Sequence, residues 1–223
     1  MKNYLKYAFG EIILVVIGIL IALFIKGKYN EQEELTHIKR TGLQVLADLQ
    51  KDTANTAEII IEENAQKELF LAILSDTMDR DFYDSCNFCP YLISRFQAFE
   101  PSTHGFSILK NQDTDLKTSL DTLIHDTKQF YARQVPLFEI VTGLVEEEVT
   151  MTLNYWKSNY PWFADWVLGH PPLEFDRYMH QNPDFRNRVA SYWLINYGNF
   201  VPYLEAYQIE ATQLAKRWDK ELN

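Results

Sequence analysis

The chain has 223 residues, enough for one sizeable domain beyond any anchor segment. Residues 1–28 carry four lysines and one acidic residue, a net of +3, so the remaining 195 carry 17 basic and 30 acidic side chains, a net of −13. That acidic bulk repels nucleic-acid phosphates and excludes a nucleic-acid partner, while an aromatic share of 14% with eight Gly and eight Pro excludes a disordered chain.

The first predicted element is an apolar run, Ile12 to Ile25, without a charged or polar side chain. As a helix it spans about 21 Å, short of a hydrocarbon core of about 30 Å. Extending it back to Tyr4 gives a full span. Lys6 then snorkels, Glu11 lies roughly 10 Å inside, and Tyr4, Tyr7 and Tyr29 sit at the interfaces. The exit "ALFIKGKYN" lacks a small-x-small cleavage site, so a retained anchor is expected rather than a signal peptide. Ala8, Glu11, Val15, Gly18 and Ala22 step by three and four and share one face. Gly18 and Ala22 form a small-xxx-small pair, which lets two backbones approach closely in lipid. This face is the candidate transmembrane packing surface. Lys2 and Lys6 on one flank match Lys26 and Lys28 on the other, so charge alone does not orient the span.

Leu35, Ile38, Gly42, Val45, Leu49, Thr53, Thr56, Ile60 and Glu63 continue the three-four spacing, and no Pro occurs before Pro90. A long helix is therefore expected out of the membrane to about Leu74. Its seam weakens at Asp52 to Thr56, which suits one wall of a bundle better than an extended coiled coil. The stretch 75–90 is turn-rich. A short helix is expected over Tyr91 to Phe99, then the loop "EPSTHGF". Asp113 or Thr114 is placed to cap a helix to about Gln134, with Leu116, Leu120, Leu123, Ile124 and Phe130 inward. Pro136 is expected to kink or break it, with helix resuming from Leu137 to about Lys157. "NYPWFADWVLGHPP" is an aromatic connection. Asn182, Pro183 and Asp184 read as cap, first position and first-turn acid of a last helix, bent at Gly198 and Pro202. No run has strand period. The expected fold is all-α: a single N-terminal transmembrane helix (residues 1–28) continuing into a long helix, then an antiparallel helical bundle (residues 29–223).

The opening "KYAFGEIILVVIGILIALFI", followed by "NEQ" and a leucine-spaced helix, resembles an uncharacterised domain-of-unknown-function family of membrane-anchored proteins widespread in Bacteroidetes, with its "KYxxGExxLVxxGIxIAL" anchor. "PSTHGFSILKNQDTDLKTSLDTL" resembles that family's serine-glycine loop and following helix. This chain has "FIKGKYNE" where most members have "QINNWNE". The resemblance implies an inside N-terminus and an outside domain, hence a bacterial inner membrane with a periplasmic domain. It implies no biochemical activity.

Chemistry-bearing motifs are few. Cys86 and Cys89, the only cysteines, form a C-x-x-C pair suited to a local disulfide, to structural thiols, or to redox or metal chemistry. No βαβ pattern surrounds them, and the disulfide is the favoured reading. His37, His104, His125, His170 and His180 show no helical ligand pairing among themselves; Asp121 and His125 stand at i and i+4, where a shared hydrogen bond is the simpler reading than a metal. Tyr155, Trp156, Tyr160, Trp162, Phe163 and Trp166 form an aromatic cluster, a core in the simpler reading and a candidate partner-docking surface in the sharper one. No catalytic residue, metal or cofactor is expected. The functional expectation is a non-enzymatic accessory subunit in the bilayer, a homo-oligomer or part of a membrane protein complex. The alternatives are a sensory or ligand-binding helical bundle and a thiol-redox protein.

Overall fold

The structure, a computed structural model, describes residues 2–75, 82–83, 86–112 and 119–223, and of residues 2–13 the backbone alone. All its regular elements are helical. Helix α1 runs unbroken over Lys2–Leu74, as the spacing predicts. Its start is solvent-facing: Leu14 to Ile25 are exposed, and from Lys26 to His37 only Leu35 is half-buried. Among the described residues no helix is long and apolar enough to cross a membrane. The side chains before Leu14, which the expected span includes, lie outside that description.

Packing begins at Ile38. Ile38, Val45, Leu49, Ile59, Phe70 and Ile73 turn one stripe of α1 into the core. The weak stretch of the seam is nevertheless buried, with Asp52 and Thr56 on the inner face. Thr56 satisfies its hydroxyl by donating to the Asp52 carbonyl at 2.9 Å.

A single 3-10 turn, Cys89–Tyr91, stands where the helix Tyr91–Phe99 was expected. The segment beyond is irregular because distant side chains satisfy its carbonyls. Tyr192 donates to the Arg95 carbonyl at 3.0 Å and Thr142 to that of Phe99 at 3.1 Å. Helix α2, His104–Leu109, follows the "EPSTHGF" loop. Helix α3, Ser119–Asn159, buries Leu120, Leu123, Ile124 and Phe130 as expected, while Asp113, Thr114 and Leu116 lie outside the described residues. Pro136 does not break α3. Gln134, Phe138 and Val141 are buried on both sides of it, and that packing outweighs the one backbone bond a proline forfeits.

Helices α4 (Phe163–Val167) and α5 (Leu173–Gln181) cap one end of the bundle. Helix α6, Pro183–Ile195, starts on the expected signal: the Asn182 side chain accepts the Asp184 N–H at 3.0 Å. The rod then widens into a π turn, Asn196–Phe200, and resumes as α7, Val201–Leu222. Gly198, one of the two positions where a bend is expected, lies in this π turn. Pro202 lacks the N–H that would close a regular turn there.

Contacts set the directions. Gly42 meets Trp218, Asp52 meets Tyr207, and Phe70 meets Tyr192, so α6 and α7 run antiparallel to α1. Thr127 meets Trp218 and Phe138 meets Tyr207, so α3 is antiparallel to α7 as well. Both being antiparallel to the α6–α7 rod, α1 and α3 run parallel to each other, so the expected antiparallel bundle is corrected to three rods of which one opposes the other two, with α2 wedged between α1 and α3.

Candidate functional site

The predicted packing face begins on α1. Ala8 and Glu11 lie outside the residues whose side chains are described. Val15, Gly18 and Ala22 are exposed, and a Cβ added at Gly18 would meet nothing within 4 Å. Among the described residues no element of the bundle covers Val15, Gly18 or Ala22. Lys28 holds Glu31 at 2.8 Å in an exposed pair just beyond it.

The aromatic cluster lies at the other end of the bundle, and there the docking expectation is corrected. Trp156 is 0% exposed, Trp162 and Trp166 are buried, and Tyr155, Tyr160 and Phe163 are half-buried against them. These rings are core. Trp156 stacks edge-to-face on Trp162, Trp166 and Phe175 with centroids 5.2–5.7 Å apart. The polar tips close on partners inside the chain. The Trp156 indole donates to the Tyr178 hydroxyl at 2.9 Å, and that hydroxyl donates to Asp184 Oδ2 at 2.6 Å. Asp184 also takes Arg188 Nε at 2.8 Å, and Arg188 lies 3.8 Å over the Tyr155 ring. Burial, then the Asp184 acceptor, hold the Tyr178 hydroxyl far above the usual phenol range. Tyr160 is pushed up to about 12, by burial first and by Tyr155 next. Trp166 donates to the Pro90 carbonyl at 2.9 Å, which ties this cap to the cysteine loop.

Cys86 and Cys89 are joined as a disulfide, with Cα atoms 5.4 Å apart. A groove of about 360 Å³ runs beside it, lined by Cys86, Pro90, Gly169, Pro172, Phe175 and Asp176 among others. Gly169 has φ +82°, which its lack of a Cβ permits. Asp176 on this groove is bonded to His180 at 3.0 Å.

Two buried acid sites were not legible beforehand. Asp48 and Asp52, one turn apart on the inner face of α1, grip the "EPSTHGF" loop. Asp48 Oδ2 accepts the Gly105 N–H at 2.7 Å, and Asp52 Oδ2 accepts the Ser102 N–H at 2.8 Å and the Tyr207 hydroxyl at 2.6 Å. Gly105 is obligatory for the approach: a Cβ would stand 2.5 Å from the Val45 nitrogen. The available signal was two acids at i and i+4 on an otherwise apolar stripe. The second site is Glu63, only 7% exposed, which accepts Asn196 Nδ2 at 2.7 Å from the π turn. Burial pushes its carboxyl above the usual range, although the Asn196 bond pulls the other way.

Among the described residues no group of three or more His, Cys, Asp or Glu side chains is placed to hold a metal ion. His37 Nδ1 meets Gln112 Nε2 at 2.9 Å, and His125 is exposed beside half-buried Asp121 on α3. Compared with protein-family models, curated proteins and solved structures, the chain matches none.

Proposed function

We propose that this protein is a non-enzymatic, single-pass membrane-anchored accessory subunit. It docks onto a membrane protein complex, or onto copies of itself, through the exposed face of α1, and it holds the acidic bundle in the periplasm of a bacterium. The observation that carries this reading is the exposed apolar band from Leu14 to Ile25 on a helix that runs unbroken into the bundle. Such a band in water forfeits about 25 cal/mol for each Å² of apolar surface, so a lipid or protein environment is its natural solvent. The interior supports a scaffold rather than a catalyst: buried Asp48, Asp52 and Glu63 are engaged by backbone and side-chain donors of the same chain.

Extraction of the full chain in mild detergent, with mass spectrometry of what co-purifies, tests the reading. A reproducible assembly of defined stoichiometry is expected. A chain recovered alone in the aqueous fraction contradicts it. A reporter active only in the cytoplasm, fused after Asn223, should stay silent; activity there would reverse the proposed sidedness.

A further inference from the structure

We infer that the partner on the α1 face is a second copy of this chain, lying parallel and in register from the anchor out into the stalk. The inference rests on the reading of α1 as an anchored docking helix. From Ala22 the face continues through Ile25, Tyr29, Gln32, Thr36 and Leu43, in heptad steps on one unbroken helix, with exposed Lys39 at the step between the last two, where a register-fixing polar pair costs stability. All are exposed, Leu43 at 57%. The stripe that enters the bundle, Ile38, Thr41, Gly42 and Val45, lies roughly 160° around the helix from this line at 3.6 residues per turn. The bundle therefore leaves room for a neighbour along the whole seam.

The chemistry of the seam matches itself. Copies of one chain enter a membrane with the same orientation, so their α1 helices are parallel. In a parallel, in-register pair each residue flanking the seam on one side faces the residue five positions later on the other helix. That rule sets Lys28 against Glu33 of the second copy, twice by symmetry. Gln32 meets Gln32, an amide that both donates and accepts, and Thr36 meets Thr36 in the same way. Polar residues at such positions fix register at some cost in stability.

Single cysteines in the full chain in native membranes test the seam, because both native cysteines are already bonded to each other. Under mild oxidation Tyr29→Cys and Thr36→Cys should give a disulfide-linked dimer, and Asn30→Cys and Glu34→Cys, which face away, several-fold less. Lys28→Glu should lower the Tyr29→Cys yield about three-fold, in line with two exposed charge pairs turned repulsive. Adding Glu33→Lys should restore it. Failure of the double variant to recover overturns the register. Links from positions 29 and 36 only to a different membrane protein overturn the second copy while leaving the accessory-subunit reading intact. Equal links at all four positions overturn both.

Discussion

Asp52 ties two distant segments to α1, since one carboxylate oxygen accepts from Ser102 on the loop and from Tyr207 on α7. Asp52→Ala leaves both donors unpaired in a buried site. It should cost about 2–4 kcal/mol, read by urea unfolding of the purified chain. Glycines separate in a related way. Gly105→Ala pushes a methyl into the Val45 backbone and should cost about 1–3 kcal/mol, whereas Gly143, with nothing within 4 Å, should gain about 0.5–1 kcal/mol on becoming Ala in the helix. Glu63 supplies a pH test. Its folded pKa is raised above the unfolded value by burial, so the native state binds the extra proton. Its stability contribution is full below the unfolded value near 4.5 and is lost as pH rises through the folded one. Glu63→Gln should therefore stabilise the chain at neutral pH and flatten this part of the profile. Equal melting temperatures for variant and parent at pH 5 and pH 8 would contradict the assignment.

At the scale of elements, what was legible is what local chemistry decides. The cap Asn182-Pro183-Asp184 satisfies its own backbone within three residues, and α1 advertises itself by unbroken spacing. The segment after Tyr91 failed because its order comes from Thr142 and Tyr192, far away in sequence. The aromatic cluster shows the same limit. Six rings within twelve residues read as core first and as a docking surface second, and only the arrival of Phe175 and Tyr178 from α5 encloses them. Asp52 reads as the start of a weak stretch of the seam, and nothing local marks Asp48, because their loop partners lie about fifty residues on. Pro136 does not end α3, since its penalty is local and its compensation tertiary. Pro136→Ala should accordingly stabilise α3, by roughly 1–3 kcal/mol, by restoring a backbone donor at an exposed position. The disulfide closes a very short loop, so Cys86→Ser with Cys89→Ser should cost only about 2 kcal/mol and leave assembly unchanged. Loss of assembly in that variant would give the loop a direct part in docking.

For the whole molecule, the account assigns two tasks to one helix. The inner stripe of α1 builds the bundle, and its opposite face, with the apolar band before it, is left for a neighbour. The exposed stalk from Lys26 to His37 is about 18 Å long, and the net of −13 beyond residue 28 discourages the bundle from lying on an anionic membrane surface. The most direct test is the native mass of the full chain in mild detergent, measured for the parent and for Gly18→Ile with circular dichroism alongside. A Cβ added at Gly18 meets nothing within 4 Å among the described residues, so the substitution should leave helicity intact while its side chain forces the docked helices apart. The account predicts a parent assembly well above the 26.2 kDa of one chain and a shift towards monomer in the variant. A parent that runs at 26.2 kDa, or a variant that keeps the parent's assembly, would contradict it.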